Sequence, residues 1–306
     1  MDQYGRGSDE VINMSENEEK EMFASGHRMC AGCGEGIAMR AILNEAGPDT
    51  IATVATGCLE VTTTAYPQTA WEIPLIHSAF ENAASVAAGI EVALKQMDKK
   101  GETNIMSFAG DGGTFDIGFQ ALSGMFERKH NVTHICLDNE AYMNTGIQRC
   151  SSTPYGASTT TSPAGKVSIG EDRPKKPLAR ISAAHDIPYA ATATIAHIKD
   201  LKKKVRKALD ADGPALVHVF APCPTGWRHA SNDSVELARL AVETGVFVLW
   251  EAEDGEICDI NITHKPKERK PVKEYLKKQR RFAHLTDEHI EKIQKEIDEK
   301  CEQYGF

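Results

Sequence analysis

The chain has 306 residues, 41% of them apolar, enough to bury the core of one large α/β domain or two small ones. A formal net charge of −9 argues against a nucleic-acid partner, whose phosphates need a basic face. No stretch approaches the ~20 apolar residues of a membrane span. The acidic start (Asp9, Glu10, Glu16, Glu18, Glu19, Glu21) is unlike a signal peptide, so a cytoplasmic protein is expected.

Residues 1 to about 24 hold little to bury and read as a flexible or partner-draped arm. One domain is expected over 25–262, followed by a helical extension over 263–306. Cys30-Ala31-Gly32-Cys33 comes first. A CxxC is a redox dithiol, half a zinc site or half an iron–sulfur site, and zinc is the commonest of the three. A zinc knuckle wants a second CxxC or HxxxH nearby, whereas the other cysteines here are single and scattered. That scatter suits a 4Fe–4S cube, which takes four thiolates without needing them in pairs. Gly36 to Ala46 reads as a helix stopped by Gly47-Pro48, and Thr50 to Ala55 as a strand running into Gly57-Cys58. A short strand, Ile73 to His77, precedes a helix from Ala79 to Met97, whose Ala83, Ala84, Ala87, Ala88 and Gly89 admit a close neighbour.

Ser107 to Gln148 carries the strongest pattern. Asn104 to Ala109 reads as a buried strand delivering the turn Gly110-Asp111-Gly112-Gly113, and Phe115 to Lys129 has helical spacing (Ile117, Phe119, Leu122, Met125, Phe126). Strand, glycine turn and helix start together favour an anion such as phosphate. Asp111 repels phosphate, so it makes sense there with a hard cation between them, and Mg2+ is the usual one. Val132 to Leu137 is a second strand ending in Asp138-Asn139; side by side in parallel, the two strands put Asp111 and Asn139 at one carboxyl edge.

Arg149 to Lys176, full of Ser, Thr, Pro and Gly, breaks the rhythm and reads as a lid or subunit contact. Helix, strand and helix follow (Leu178 to Asp186, Tyr189 to Thr192, Ile198 to Leu209), then a strand from Pro214 to Phe220. Its end, Ala221-Pro222-Cys223-Pro224-Thr225-Gly226-Trp227, holds Cys223 on a proline-braced loop at a sheet edge. Cys136 lies mid-strand and reads as core, while Cys258 and Cys301 fall in the charged C-terminal third. Val235 to Thr244 is another helix, and Val246 to Ile260 a hairpin around Asp254-Gly255. The tail from Lys265 reads as solvated helices with an apolar stripe (Tyr275, Phe282, Leu285) for a partner subunit. The alternation implies an α/β fold, a mostly parallel sheet covered by helices on both faces.

Gly110-Asp111-Gly112 with Asn139 downstream resembles the thiamine diphosphate motif, and Asn144-Thr145-Gly146 resembles the 2-oxoacid:ferredoxin oxidoreductase branch. Gly26-His27-Arg28, the CxxC, Gly57-Cys58 and Ala221-Pro222-Cys223-Pro224 follow the family's order, and the resemblance runs from about Gly26 to Leu285. It points to the thiamine-binding β subunits. Tyr66-Pro67-Gln68-Thr69-Ala70-Trp71 and Thr153-Pro154-Tyr155-Gly156 look more like the pyruvate enzyme than the 2-oxoglutarate one, though branched-chain and oxalate relatives share much of this.

The resemblance implies the thiamine diphosphate-binding fold and one 4Fe–4S cluster on Cys30, Cys33, Cys58 and Cys223. It places Mg2+ on Asp111, the Asn139 side chain and the Ala141 carbonyl. Thiamine diphosphate would lie against Gly110, Asp111, Gly112, Gly113, Asn139, Ala141, Asn144, Thr145, Gly57, Cys58 and Glu35, with Asn144 as the catalytic contact to the substrate oxygen. The implied reaction converts pyruvate, coenzyme A and oxidised ferredoxin to acetyl-CoA, carbon dioxide and reduced ferredoxin. No carboxylate suited to activating the aminopyrimidine is evident, and in the similar enzymes that half of the site belongs to another subunit, which the resemblance implies here too. Glu60 and His77 at strand ends read as structural rather than as acid and base. His27-Arg28 either tunes the cluster or forms a salt bridge at a helix start. Two other readings stay open: a non-redox thiamine-dependent lyase with structural zinc, and a non-catalytic scaffold subunit.

Overall fold

The computed structural model describes residues 21–261 and 268–305. Its strands are β1 (Thr50–Ala55), β2 (Leu75–Ser78), β3 (Asn104–Gly110), β4 (Thr133–Asp138), β5 (Tyr189–Thr194), β6 (Ala215–Phe220), β7 (Trp250–Glu253) and β8 (Glu256–Ile260). They form one sheet in the order β2-β1-β3-β4-β6-β5-β7-β8. The first six in that order are parallel, and β7 and β8 continue the edge antiparallel. Every residue of β4, β5 and β6 is buried, as expected of central strands covered on both faces.

The helices are α1 (Gly34–Ala46), α2 (Cys58–Thr63), α3 (Ala83–Gln96), α4 (Phe119–Glu127), α5 (Leu178–Ala183), α6 (Ile198–Asp210), α7 (Pro224–Trp227), α8 (Ser234–Glu243), α9 (Val272–Lys277) and α10 (Asp287–Gln303). α1 and α6 bury one face of the sheet, with Ile42, Leu43, Leu201 and Val205 in that core. α3, α4, α5 and the C-terminal helices contribute to the other core, through Ala87, Phe126, Leu178 and Ile297. The chain leaves β1 for β2 on one side and returns to β3 on the other. That reversal opens a crevice at the strands' carboxyl ends, where open α/β sheets bind ligands. No helix among the described residues is long and apolar enough to cross a membrane.

The structure revises four expectations. Residues 1–20 lie outside the described residues, but Met22 and Phe23, grouped with the arm, are buried, and Phe23 bridges to Trp71. The helix expected from Phe115 is split into a π-helical turn, Gly112–Ile117, and α4. There the Gly118 N–H bonds the Gly113 carbonyl, five residues back. This wider turn buries Phe115 and leaves Ile117 half exposed, which a 3.6-residue periodicity cannot foresee. Arg149–Lys176 is no lid over the surface: Cys150, Ser152, Thr153, Ala157 and Glu171 are buried.

The C-terminal stripe, finally, docks on its own chain. Tyr275, Leu276 and Phe282 join the core that holds α5 and β7, with Leu285 packed against it. α10 is fixed at its start by a capping box between Thr286 and His289. The domain boundary expected at 262/263 falls in the undescribed segment 262–267. Because Phe282 is buried in this core, Phe282→Ala should destabilise the chain by about 3–5 kcal/mol, read as a lower melting temperature and denaturation midpoint. An unchanged midpoint would mean that the tail is not part of the domain.

Candidate active site

The ends of β1, β3, β4 and β6 deliver their following residues to one edge. One narrow cleft there is lined by Glu35, Gly57, Cys58, Gly110, Asp111, Gly112, Gly113, Asn139, Ala141, Asn144 and Thr145. The residues expected to hold the diphosphate and its metal thus share a single cleft. Thr56, Phe80, Tyr142 and Met143 also line it, and sequence reasoning had not singled them out as site residues. Gly112 lies so close to the Tyr142 ring that a Cβ would collide with it, so the glycine is needed for this wall to close.

Asp111 is buried at the end of β3, and its carboxylate accepts a hydrogen bond from the Cys150 thiol (2.9 Å). Burial, with the Asp138 charge nearby, pushes its carboxyl well above the usual carboxylate range. Asp111 is therefore short of positive charge. Asn139, at the end of β4, donates from Nδ2 to Glu35 Oε1 (2.8 Å), and its carbonyl accepts from the Trp227 indole (2.7 Å). Its buried Oδ1 has no hydrogen-bond partner, nor does Glu35 Oε2. Orphaned buried oxygens are rare and call for an explanation. Burial raises the Glu35 carboxyl to about 7, against the opposing pull of the Asn139 bond.

Behind these residues lies a charge network. Asp138 Oδ2 is 2.5 Å from Lys175 Nζ and 2.6 Å from His218 Nε2, and Oδ1 accepts from Ser152 Oγ (2.6 Å). Burial opposes its charge, but Lys175 and His218 together more than offset that and hold the carboxyl below its ordinary range. Burial likewise opposes the Lys175 ammonium, which Asp138 and Glu140 hold above its ordinary range. Glu140 adopts φ +66°, unusual for a side-chain-bearing residue, and its carboxylate is clamped by Lys175 (2.8 Å) and Arg281 (2.5 Å). The reversed backbone at Glu140 lies between the two expected metal ligands, Asn139 and Ala141.

The cysteine loops meet through their backbones. The Gly34 N–H bonds the Pro222 carbonyl (3.1 Å), and a Cβ on Gly34 would sit 2.9 Å from the Ala221 carbonyl carbon. Thr225 Oγ1 points at Cys30 Sγ (3.7 Å), and Cys223 Sγ accepts from the Gly226 N–H (3.4 Å). Burial raises the thiols of Cys33, Cys58 and Cys223, the last to about 11. Cys58 is raised further by the charges of Glu35, Cys223, Cys33 and Cys30. All four thiols are free. Among the described residues, no three His, Cys, Asp or Glu side chains stand in ready-made coordination geometry. Cys136 and Cys301 are core residues and Cys258 lies on edge strand β8.

Other candidates are more ordinary. His77 links Thr56 (2.9 Å) and Glu60 (3.5 Å), a structural contact. Arg28 bonds Gln68 (3.1 Å) instead of capping a helix, and His27 stacks near Phe23 (5.3 Å). Asn144 is exposed at the mouth of the cleft.

A glycine-edged, acid- and amide-bearing crevice at the switch point of a parallel sheet is a site for a phosphate-bearing ligand, and the chain's relatives say of which kind. Residues 55–219 match the family described as "Thiamine pyrophosphate enzyme, C-terminal TPP binding domain". A pyruvate synthase subunit PorB from Methanothermobacter marburgensis is 58% identical, the match covering 93% of this chain and 98% of that protein. A ketoisovalerate oxidoreductase subunit VorB from Pyrococcus furiosus is 48% identical, over 92% of each. Among solved structures, a 2-oxoglutarate:ferredoxin oxidoreductase from Magnetococcus marinus, with 2-oxoglutarate, coenzyme A and succinyl-CoA bound, aligns with TM-score 0.56. It is 21% identical, the alignment covering 74% of this chain and 82% of that one, and speaks to the fold. The chain belongs to the PorB family of pyruvate synthase β subunits, and so to the oxidoreductases.

Since Lys175 meets both buried carboxylates, Lys175→Met should cost about 3–5 kcal/mol by stranding Asp138 and Glu140. A denaturation midpoint within ~0.5 kcal/mol of the parent's would show that the network carries no such weight.

Proposed function

We propose that this chain is the thiamine diphosphate-, Mg2+- and 4Fe–4S-binding subunit of a pyruvate:ferredoxin oxidoreductase. The observation that carries the reading is the pairing at one sheet edge of a cation-deficient buried carboxylate, Asp111, with the orphaned Asn139 Oδ1. An acid and a neutral oxygen with free lone pairs fit Mg2+, a hard oxygen-seeking ion. Asp111, Asn139 Oδ1 and the Ala141 carbonyl would hold it, and Gly110, Gly112 and Gly113 would let the diphosphate approach the backbone. Cys30, Cys33, Cys58 and Cys223 would hold the cluster: the CxxC loop bonds the Cys223 loop through Gly34 and Pro222, Thr225 points at Cys30, and all four thiols are free for iron that takes them as thiolates.

When bound, thiamine diphosphate supplies the carbon nucleophile that cleaves a 2-oxoacid beside its carbonyl, and the cluster supplies a one-electron acceptor. The chain's own residues do the rest of what is assigned here. The Trp227 indole fixes the Asn139 carbonyl while Glu35 turns the Asn139 amide, leaving Oδ1 to the metal. Phe80, Tyr142 and Met143 wall the cleft and limit water. Asn144, exposed on the cleft lining, would donate to the substrate-derived oxygen. Pyruvate is favoured as substrate because the PorB relative is closer to this chain than the ketoisovalerate one. Further subunits would supply the aminopyrimidine-activating carboxylate, and coenzyme A and ferredoxin would receive the products.

Anaerobically purified protein should contain about four iron per chain, lost in Cys58→Ser, whereas about one zinc per chain would support the structural-zinc alternative. Asp111→Ala should abolish Mg2+-dependent thiamine diphosphate binding, followed by calorimetry; retained binding would overturn the metal assignment. The chain alone should show no 2-oxoacid-dependent dye reduction, and steady turnover by it would remove the need for a partner's carboxylate.

A further inference from the structure

A second cavity, of about 530 Å3, lies between the sheet and the C-terminal helices and shares no lining residue with the cofactor cleft. Its walls are apolar, among them Phe247, Trp250, Leu276 and Ile297. Volume and lining are those of a small-molecule site, in which a few polar groups fix an otherwise apolar ligand. One such group is the Tyr275 hydroxyl. Tyr275 is 2% exposed, lines this cavity, and its Oη has no hydrogen-bond partner. The neighbouring Gln279 makes other bonds: its Nε2 donates to the Tyr275 carbonyl (2.9 Å) and its Oε1 accepts from Arg281 (2.9 Å). Buried tyrosine hydroxyls normally find a partner, so an acceptor is missing.

The cavity's charges say what kind of acceptor. Lys175 is matched by Asp138 and Glu140, and Lys176 by Asp116. Lys300 donates one bond to the Val246 carbonyl (2.9 Å), and the Arg180 guanidinium rests 4.8 Å from the centre of the Tyr304 ring. Among the described residues, neither has a carboxylate within ion-pair distance. Burial, with Lys175 and Arg180 adding to it, lowers the Lys300 ammonium to about 8, so this amine is short of negative charge. Tyr275 and Lys300 both line this cavity. Glu296, the other carboxylate on the lining, is exposed and pairs with Lys292 (3.8 Å), so the two cations left without a carboxylate disfavour a cationic ligand, and walls this apolar disfavour a dianion such as phosphate.

We propose that this cavity binds an amphipathic monocarboxylate, its carboxylate accepting from the Tyr275 hydroxyl and Lys300 and its apolar body lying against Phe247, Trp250 and Ile297. The site is separate from the oxidoreductase reaction and needs neither metal nor cofactor.

Isothermal titration of the purified full chain with octanoate tests this, with octan-1-ol and octylamine as neutral and cationic controls of equal chain length. Expected is saturable one-site binding of octanoate, with both controls at least about tenfold weaker, the effect of losing one charge-assisted hydrogen bond. Lys300→Met should weaken octanoate by about tenfold and Tyr275→Phe by about threefold. Tyr275→Phe keeps the ring and the core, so the proposal stays testable if the lysine variant fails to fold. No saturable heat with octanoate, octan-1-ol binding as tightly as octanoate, or unchanged affinity in a folded Tyr275→Phe variant would each overturn it.

Discussion

The arrangement of the cofactor edge depends on how the charge of Asp138 is met. Its carboxylate is fully buried at the end of the central strand β4, beside the residue that would hold a metal. A lone buried carboxylate would take up a proton or draw in water. Here Lys175 and Ser152 come from the long loop, and His218 comes from β6. The loop is thereby pinned beneath the active edge. Such buried ion pairs add little net stability, because desolvation cancels much of the attraction, but they strongly disfavour alternative arrangements of the same segments. What the network fixes is the path of the chain from Asp138 to Ala141.

Much of the fold was legible. Central strands bury both faces, so Val132 to Leu137 and Pro214 to Phe220 stand out as apolar runs with sharp ends, and the structure departs from those bounds by one residue. Parallel strands separated by helices then bring residues far apart in sequence to one edge, which is why Asp111, Asn139 and Gly57 could be grouped.

The support behind the site was not legible. Lys175 lies 35 residues from Glu140, and Arg281 lies 141 residues from it. Neither stands in any periodic pattern, and each looks like an ordinary surface cation in sequence. The loop's polar composition suggested an exposed lid, yet its hydroxyls are spent on buried carboxylates and carbonyls, as in Ser152 to Asp138 and Thr153 to the Glu140 carbonyl. The tail's apolar stripe was visible, but nothing local distinguishes a stripe that covers its own sheet from one awaiting another chain. The π-helical turn escaped because its hydrogen bonding follows a period that side-chain spacing does not announce.

Arg281 holds Glu140 and lies 3.8 Å from the centre of the Trp227 ring, whose indole in turn holds the Asn139 carbonyl. A residue near the end of the chain therefore completes a wall built from its middle. Domains emerge from the ribosome N-terminal end first. A nascent chain that has exposed the glycine edge, Asp111 and Asn139 still lacks Arg281, one of the two cations that hold Glu140 in the turn after Asn139. The turn at Glu140 therefore reaches its described arrangement only after Arg281 has been made, later than the strands it follows and precedes.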